Sequence, residues 1–104
     1  MTIGPGTVIN ESYRVVRRVA IGGMATVYEA ILLGTGQRVA LKIPHEQFRQ
    51  DKDGLRRFLR EAQAAMAIRA DNVVQIVAVG RLPNRMPFLA MEYIDGVGLR
   101  DVMY

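Results

Sequence analysis

Several residue types that support catalysis or metal binding are rare or absent in this chain. Its 104 residues include no cysteine, no tryptophan and a single histidine, His45. The absence of cysteine excludes disulfide frameworks, thiol nucleophiles and zinc sites built on cysteine. One histidine disfavours multi-histidine metal centres and most histidine-based acid–base mechanisms. Only 7% of the residues are aromatic, which disfavours a nucleic-acid surface built on stacked rings.

Long apolar runs and a signal peptide are also missing from the sequence. Half of the residues are hydrophobic, which supports a real core and excludes general disorder. The formal net charge of +4 comes from arginines scattered among acidic residues, so a solvated surface of mixed charge is favoured over a nucleic-acid or lipid surface. We therefore expect a soluble protein of the reducing cytoplasm.

The pattern along the chain predicts one α+β unit. Residues 1–12 contain Gly4-Pro5-Gly6 and predict a flexible leader. Apolar residues from Leu55 to Met66 recur at three- and four-residue spacing, which predicts a helix that Asp51 or Asp53 can cap. Since only one connection is long enough for a helix, we expect a five-stranded antiparallel sheet with one packed helix. The predicted strands span residues 13–20, 26–33, 37–43, 73–79 and 88–93.

A glycine turn between the first two predicted strands is the first of three features that suggest chemistry. It runs from Ala20 to Ala25 around Gly22 and Gly23. Small residues there let backbone N–H groups approach a phosphate closely. An ordinary hairpin turn is the alternative. A strand rather than a helix follows, which excludes a Rossmann loop, and Gly-Lys-Ser/Thr does not occur, which excludes a Walker A loop.

Lys42 is the second feature, because it lies in the otherwise apolar third strand. Alternation along the strand places Ala40 and Lys42 on the same face. If that face is covered, the ammonium group must meet an anion or lose its proton. The alternative is an edge-strand lysine that protects the sheet against aggregation.

Glu61 is the third feature, because it flanks the apolar stripe of the predicted helix. It lies three residues after Phe58 and four before Ala65, so its carboxylate can reach the sheet that the helix covers. The alternative is a weak intrahelical ion pair with Arg57, four residues earlier.

The order and spacing of these features resemble the N-terminal lobe of a protein kinase, specifically a bacterial Ser/Thr kinase of the Hanks type that is PASTA-kinase-like. Residues 19–27 are similar to the glycine-rich loop and the valine beyond it, and Val39–Lys42 resembles the third-strand V-A-I-K motif. Glu61 falls where this family has the helix-C glutamate. Residues 71–74 are similar to the H-P-N-I-V motif, and residues 88–96 to the strand that leads into the hinge. The resemblance covers residues 13–104.

The resemblance implies a site for ATP. Lys42 would pair with the α- and β-phosphates, and Glu61 would hold Lys42 in an ion pair. The backbone groups of Glu92 and Ile94 would hydrogen-bond the edge of the adenine, and Met91 would be the gatekeeper behind it. Including the two residues that would cover the adenine, Val27 and Ala40, the implied ATP-binding set is Val19, Ala20, Ile21, Gly22, Gly23, Met24, Ala25, Thr26, Val27, Ala40, Lys42, Met91, Glu92 and Ile94.

Two parts of the chain depart from the family pattern. Ala20 and Ala25 stand at the first and third glycine positions of the loop, so only Gly22 of the family triad remains, followed by Gly23. An added Cβ at position 20 would stiffen the loop or crowd the nucleotide. Gly98 lies near the position where many kinases have a polar ribose partner, which removes that side-chain contact.

Phosphoryl transfer in this family also needs a catalytic-loop Asp and Asn and a D-F-G Asp that holds Mg²⁺. No H-R-D or D-F-G occurs in the 104 residues, so we expect no catalytic residue and no metal ligand in this chain. The resemblance therefore implies an ATP-binding lobe, residues 13–104, of a larger kinase that uses ATP and Mg²⁺. This polypeptide alone should be inactive.

The resemblance also implies partners: ATP, the C-terminal kinase lobe and the protein substrates of the parent enzyme. Surfaces that would face the other lobe are apolar, so self-association or a homodimer is a further expectation, while nucleic acid is not expected. A later segment that anchors the parent to a membrane is compatible with the sequence. The alternative function is a kinase-like or pseudokinase module that uses its sheet for protein contacts, which the altered position at Ala20 favours.

Overall fold

The computed structural model describes residues 3–67 and 76–93, which form an antiparallel sheet and one long helix. The helix, α1, spans Lys52–Ala67, and a single 3-10 turn at Glu46–Phe48 precedes it. All strand pairs are antiparallel, in the order β1-β2-β3-β4-β6-β5. The predicted antiparallel sheet with one packed helix is confirmed. The strands are β1 (Val8–Ile9), β2 (Tyr13–Ile21), β3 (Ala25–Leu32), β4 (Gln37–Pro44), β5 (Ile76–Arg81) and β6 (Pro87–Glu92).

The sheet has six strands rather than the predicted five, because β1 comes from the segment predicted to be a flexible leader. Ile9 is only 3% exposed and belongs to the hydrophobic core. The backbone N–H of Gly6 donates to the carbonyl of Val15 at 2.8 Å, and the N–H of Val15 donates to the carbonyl of Thr7 at 2.8 Å. Turn-forming residues near Pro5 predicted a loose segment, but their turn returns the chain to β2, which local composition cannot reveal.

Each face of the sheet carries its own hydrophobic cluster, as strand alternation requires. One face, here called the outer face, includes Val39, Leu41, Ile43, Phe88 and Ala90. The other, here called the helix face because its cluster includes Phe58 of α1, includes Ala25, Val27, Ala40, Leu89 and Met91.

Two local features fix the ends of the elements that border the helix face. Asp51 caps α1, because its Oδ1 accepts a hydrogen bond of 2.9 Å from the backbone N–H of Gly54. A Cβ at Gly54 would overlap that same carboxylate, so glycine suits this position. The turn from β3 to β4 places Gly36 at φ +76°, a left-handed conformation that glycine adopts without strain.

The pairing of β1 with the sheet gives a stability prediction from two adjacent residues. Ile9→Ala empties a buried site and should lower the free energy of unfolding by about 2–4 kcal/mol. Val8 is 51% exposed, so Val8→Ala should change it by no more than about 0.5 kcal/mol. Urea denaturation of both variants measures the difference. Equal effects would show that β1 does not contribute to the core.

Candidate functional site

Lys42 lies at the centre of the sheet. Strand β4 is hydrogen-bonded to β3 on one side and to β6 on the other, with Lys42 paired in register with Val27 and Leu89. The residue is only 8% exposed. The interpretation of Lys42 as an edge-strand lysine is therefore wrong, since β4 is not an edge strand.

The electrostatic environment of Lys42 combines burial with a nearby carboxylate. Burial lowers the pKa of Lys42 below its ordinary value, and the negative charge of Glu61 raises it again in part. The ammonium nitrogen also lies 5.8 Å from the centre of the Phe58 ring, within the range of a cation–π contact. A charged Lys42 is thus costly to bury and is stabilised by each anion that approaches it.

A cavity of about 280 Å³ brings together the three features that the sequence singled out. The glycine turn borders it with Gly22 and Gly23, β4 contributes Lys42, and α1 contributes Glu61. All of them therefore lie on the helix face of the sheet. The cavity brings the glycine turn, a buried ammonium group and a carboxylate that favours its charge into one space, and the ammonium group suits an anionic ligand.

The glycine turn itself is a short hairpin link between β2 and β3. The N–H of Gly22 donates to the carbonyl of Ala25 at 2.8 Å, which closes the turn. A side chain at Gly23 would meet no atom within 4 Å, so the turn leaves open space on this side. The hairpin interpretation describes the connection correctly, and its role toward phosphate stays a prediction.

The residues predicted to surround the adenine lie along the helix face beside Lys42. Ala40 pairs in register with Met91 across β4 and β6, and Val27 pairs with Lys42 across β3 and β4. Val27, Ala40 and Met91 are all buried in one cluster, so core packing explains Met91 without a ligand. Val19, Ala20 and Met24 are partly buried against the same cluster.

Some predicted site residues lie elsewhere. The side chain of Thr26 lies on the outer face, where its hydroxyl oxygen is 2.9 Å from Nε2 of His45, so only the backbone of Thr26 borders the turn. Ile21 is exposed at the end of β2. Glu92 ends β6 and is half-buried. Ile94, together with Gly98 and residues 71–74, lies outside the described residues.

Sequence reasoning missed part of the wall that α1 contributes. Gly54, Arg57, Phe58 and Glu61 all border the cavity. Their spacing of three, four and seven residues places them on one helix face, which is the signal that could have found them. Phe58 was assigned only to the apolar stripe, and Arg57 only to an ion pair with Glu61.

The described residues contain neither a cluster of metal ligands nor a membrane-spanning helix. Within residues 3–67 and 76–93, no three acidic or histidine side chains converge as a metal site would require. In the same part of the chain, α1 is not long and apolar enough to cross a membrane.

The structure has an antiparallel sheet with one packed helix and a cavity between them, and comparison with known proteins identifies its family. The family model for protein tyrosine and serine/threonine kinases matches residues 13–104. A probable serine/threonine-protein kinase of Bifidobacterium longum, pknA2, is 43% identical over 102 residues, which cover 95% of this chain and 13% of that protein. The serine/threonine-protein kinase PrkC of Bacillus subtilis is 34% identical over 96 residues, which cover 92% of this chain and 15% of that protein.

Two solved structures share the fold of this chain. The PknI kinase domain of Mycobacterium tuberculosis superposes with a TM-score of 0.71 at 26% identity, covering 90% of this chain and 37% of that chain. The structure called PpkA-294, in its apo form, shares the fold with a TM-score of 0.79 at 16% identity. The chain belongs to the protein kinase family and corresponds to the N-terminal lobe of a bacterial Ser/Thr kinase domain. It spans 13–15% of the length of these two curated relatives.

The burial of Lys42 predicts a specific pH dependence of stability. Because burial lowers its pKa in the folded state, the unfolded chain binds more protons between that pKa and the ordinary value of 10.5. The free energy of unfolding contributed by this group therefore rises with pH across that window and is lowest below the folded pKa. Lys42→Met keeps an apolar side chain of similar length and removes the ammonium group, and with it this pH-dependent contribution to the free energy of unfolding.

Urea denaturation between pH 7 and 10.5 measures it. At pH 7 the variant should be at least as stable as the wild type. As the pH rises, the free energy of unfolding of the wild type should increase relative to that of Lys42→Met. Lys52→Met is the matched control, since Lys52 is exposed at the start of α1. Parallel pH profiles for wild type and Lys42→Met would contradict the burial of a charged group.

Proposed function

We propose that this chain binds ATP through the helix face of its sheet, and that the whole protein transfers the γ-phosphoryl group of ATP to Ser or Thr hydroxyls of protein substrates. The observation that carries the proposal is the cavity that Lys42 shares with Glu61 and the glycine turn. Its proposed partners are ATP, the remaining lobe of the kinase domain and protein substrates. Self-association through exposed apolar surface is a further proposed contact.

Lys42 is proposed to bind the α- and β-phosphates of ATP. A partly dehydrated ammonium group gains strongly from phosphate oxygens, because burial has already removed most of its water. Glu61 favours the charged form of Lys42, since its carboxylate opposes the lowering of the lysine pKa by burial. The Gly22 N–H is already bonded to Ala25, so the backbone of Gly23 would meet the phosphates from the other side of the cavity.

The adenine is proposed to lie along the buried strip next to Lys42. Val27 and Ala40 would cover the base, and Met91 would close the space behind it. The backbone of Glu92 and of Ile94 would hydrogen-bond its edge. The remaining members of the proposed set border the loop that covers the nucleotide: Val19, Ala20, Ile21, Met24, Ala25 and Thr26.

Mg²⁺ accompanies ATP in this family, but the described residues do not form a site for it. The chain also contains no H-R-D and no D-F-G motif. Residues 1–104 are therefore proposed to supply nucleotide binding, and no step is assigned to a metal within them.

The two lysines of the chain provide a direct test of nucleotide binding. Lys42→Met should weaken ATP binding by about tenfold or more, because a charge-assisted contact to phosphate is lost. Lys52→Met removes an exposed lysine at the start of α1 and should leave the affinity unchanged. Isothermal titration of the purified protein with ATP measures both. Equal binding by the Lys42 variant would remove it from any phosphate role, and no binding by the wild type would favour the interaction module.

Catalysis by the 104 residues alone is a separate prediction. A purified polypeptide of residues 1–104 incubated with Mg·ATP and a generic protein substrate should produce no phosphoprotein, because the base and metal-holding motifs of the family are absent from it. Radiolabelled ATP gives the required sensitivity. Turnover that survives repeated purification would contradict the assignment of this chain to nucleotide binding only.

A further inference from the structure

A buried carboxylate outside the phosphate cavity organises the other end of the helix face. Glu29 in β3 is only 8% exposed. Arg17 of β2 donates from Nε to Glu29 Oε1 at 2.8 Å, and Arg38 of β4 donates from Nε to Glu29 Oε2 at 3.2 Å. One acidic side chain thus joins three neighbouring strands, and nothing in the nucleotide proposal uses it.

The same two arginines also hold Tyr93, the residue directly after β6. Arg17 donates from Nη2 to the hydroxyl oxygen of Tyr93 at 3.0 Å. The guanidinium carbon of Arg38 lies 4.4 Å from the centre of the Tyr93 ring, which is a cation–π contact. Tyr93 is therefore held at its hydroxyl and at its ring face by two cations that share one carboxylate.

This network lies next to the proposed base-binding strip. Glu29 pairs in register with Ala40, and Ala40 pairs with Met91. Tyr93 follows Glu92, whose backbone is proposed to bind the edge of the adenine. Because the two residues share a peptide plane, anchoring Tyr93 restrains the orientation of the backbone at Glu92.

We propose that Glu29 is a positioning residue for the base: through Arg17 and Arg38 it holds Tyr93, and with it the backbone that binds the adenine edge. This inference rests on the proposed function. Without the carboxylate charge, Arg17 and Arg38 lose the charge-assisted contacts of 2.8 and 3.2 Å that fix them beside Tyr93. Tyr93 then loses its fixed position while Lys42 and the glycine turn keep theirs.

Two ligands that each correspond to one part of ATP distinguish a positioning role of Glu29 from a general structural role. Adenosine reports on the base-binding strip, and inorganic tripolyphosphate reports on the Lys42 cavity. Glu29→Gln, which keeps the volume and removes the charge, should weaken adenosine and ATP binding by a similar factor of about three to ten and leave tripolyphosphate binding unchanged. Lys42→Met should instead weaken tripolyphosphate and ATP binding and leave adenosine binding unchanged.

Two further variants test whether Glu29 acts through Tyr93. Tyr93→Phe removes only the hydroxyl that Arg17 contacts and should weaken adenosine binding in the same direction as Glu29→Gln. The double variant should bind adenosine no more weakly than Glu29→Gln alone, because both changes act through one network. Glu46→Gln is the matched control: Glu46 forms an exposed ion pair with Arg49 at 3.2 Å, away from this network.

The outcomes are distinct. Unchanged adenosine affinity in both Glu29→Gln and Tyr93→Phe, beside a wild type that binds ATP, would overturn the positioning role and leave the proposed function intact. An equal loss of adenosine and tripolyphosphate binding in Glu29→Gln would also overturn it, since that is the effect of a general loss of structure. A wild type that binds neither ATP nor adenosine would overturn the proposed function, and this inference with it.

Discussion

One buried ammonium group determines what the surrounding structure must provide. Lys42 lies in the strand that pairs with both β3 and β6, so its side chain cannot leave the helix face without breaking the centre of the sheet. Burial lowers its pKa and Glu61 raises it in part, so burying the charged form lowers the stability of the folded protein. A phosphate ligand would stabilise the charged form, and such a ligand would lie in the cavity between the glycine turn and α1.

Strand pairing sets the order of the side chains along the helix face. The antiparallel register carries Val27 opposite Lys42 and Glu29 opposite Ala40. Successive inward positions of β4 therefore form a charged end at Lys42, a small and apolar middle at Ala40, and a basic end at Arg38. The strip is thus apolar between two basic positions, and the proposed nucleotide would place its phosphates at Lys42 and its base beside Ala40.

Local periodicity predicted much of this arrangement, and long-range contacts account for what it missed. Alternation placed Ala40 and Lys42 on one face, and helical spacing placed Glu61 beside the apolar stripe, because both periods repeat within a few residues. Strand β1 was missed because its pairing depends on β2 rather than on its own composition. The contacts of Arg17 with Glu29 and with Tyr93 span 12 and 76 positions along the chain, so no local pattern could reveal that network.

Strand β4 contributes side chains to both faces of the sheet, which restricts where related chains can have insertions or deletions. Lys42 lies on the helix face, while its neighbours Leu41 and Ile43 belong to the core of the outer face. One inserted residue within β4 would exchange the two faces, driving the ammonium group into the outer core and the aliphatic side chains into the cavity. Insertions and deletions are therefore expected at the exposed turn of residues 34–36, which can change length without altering the parity of either strand.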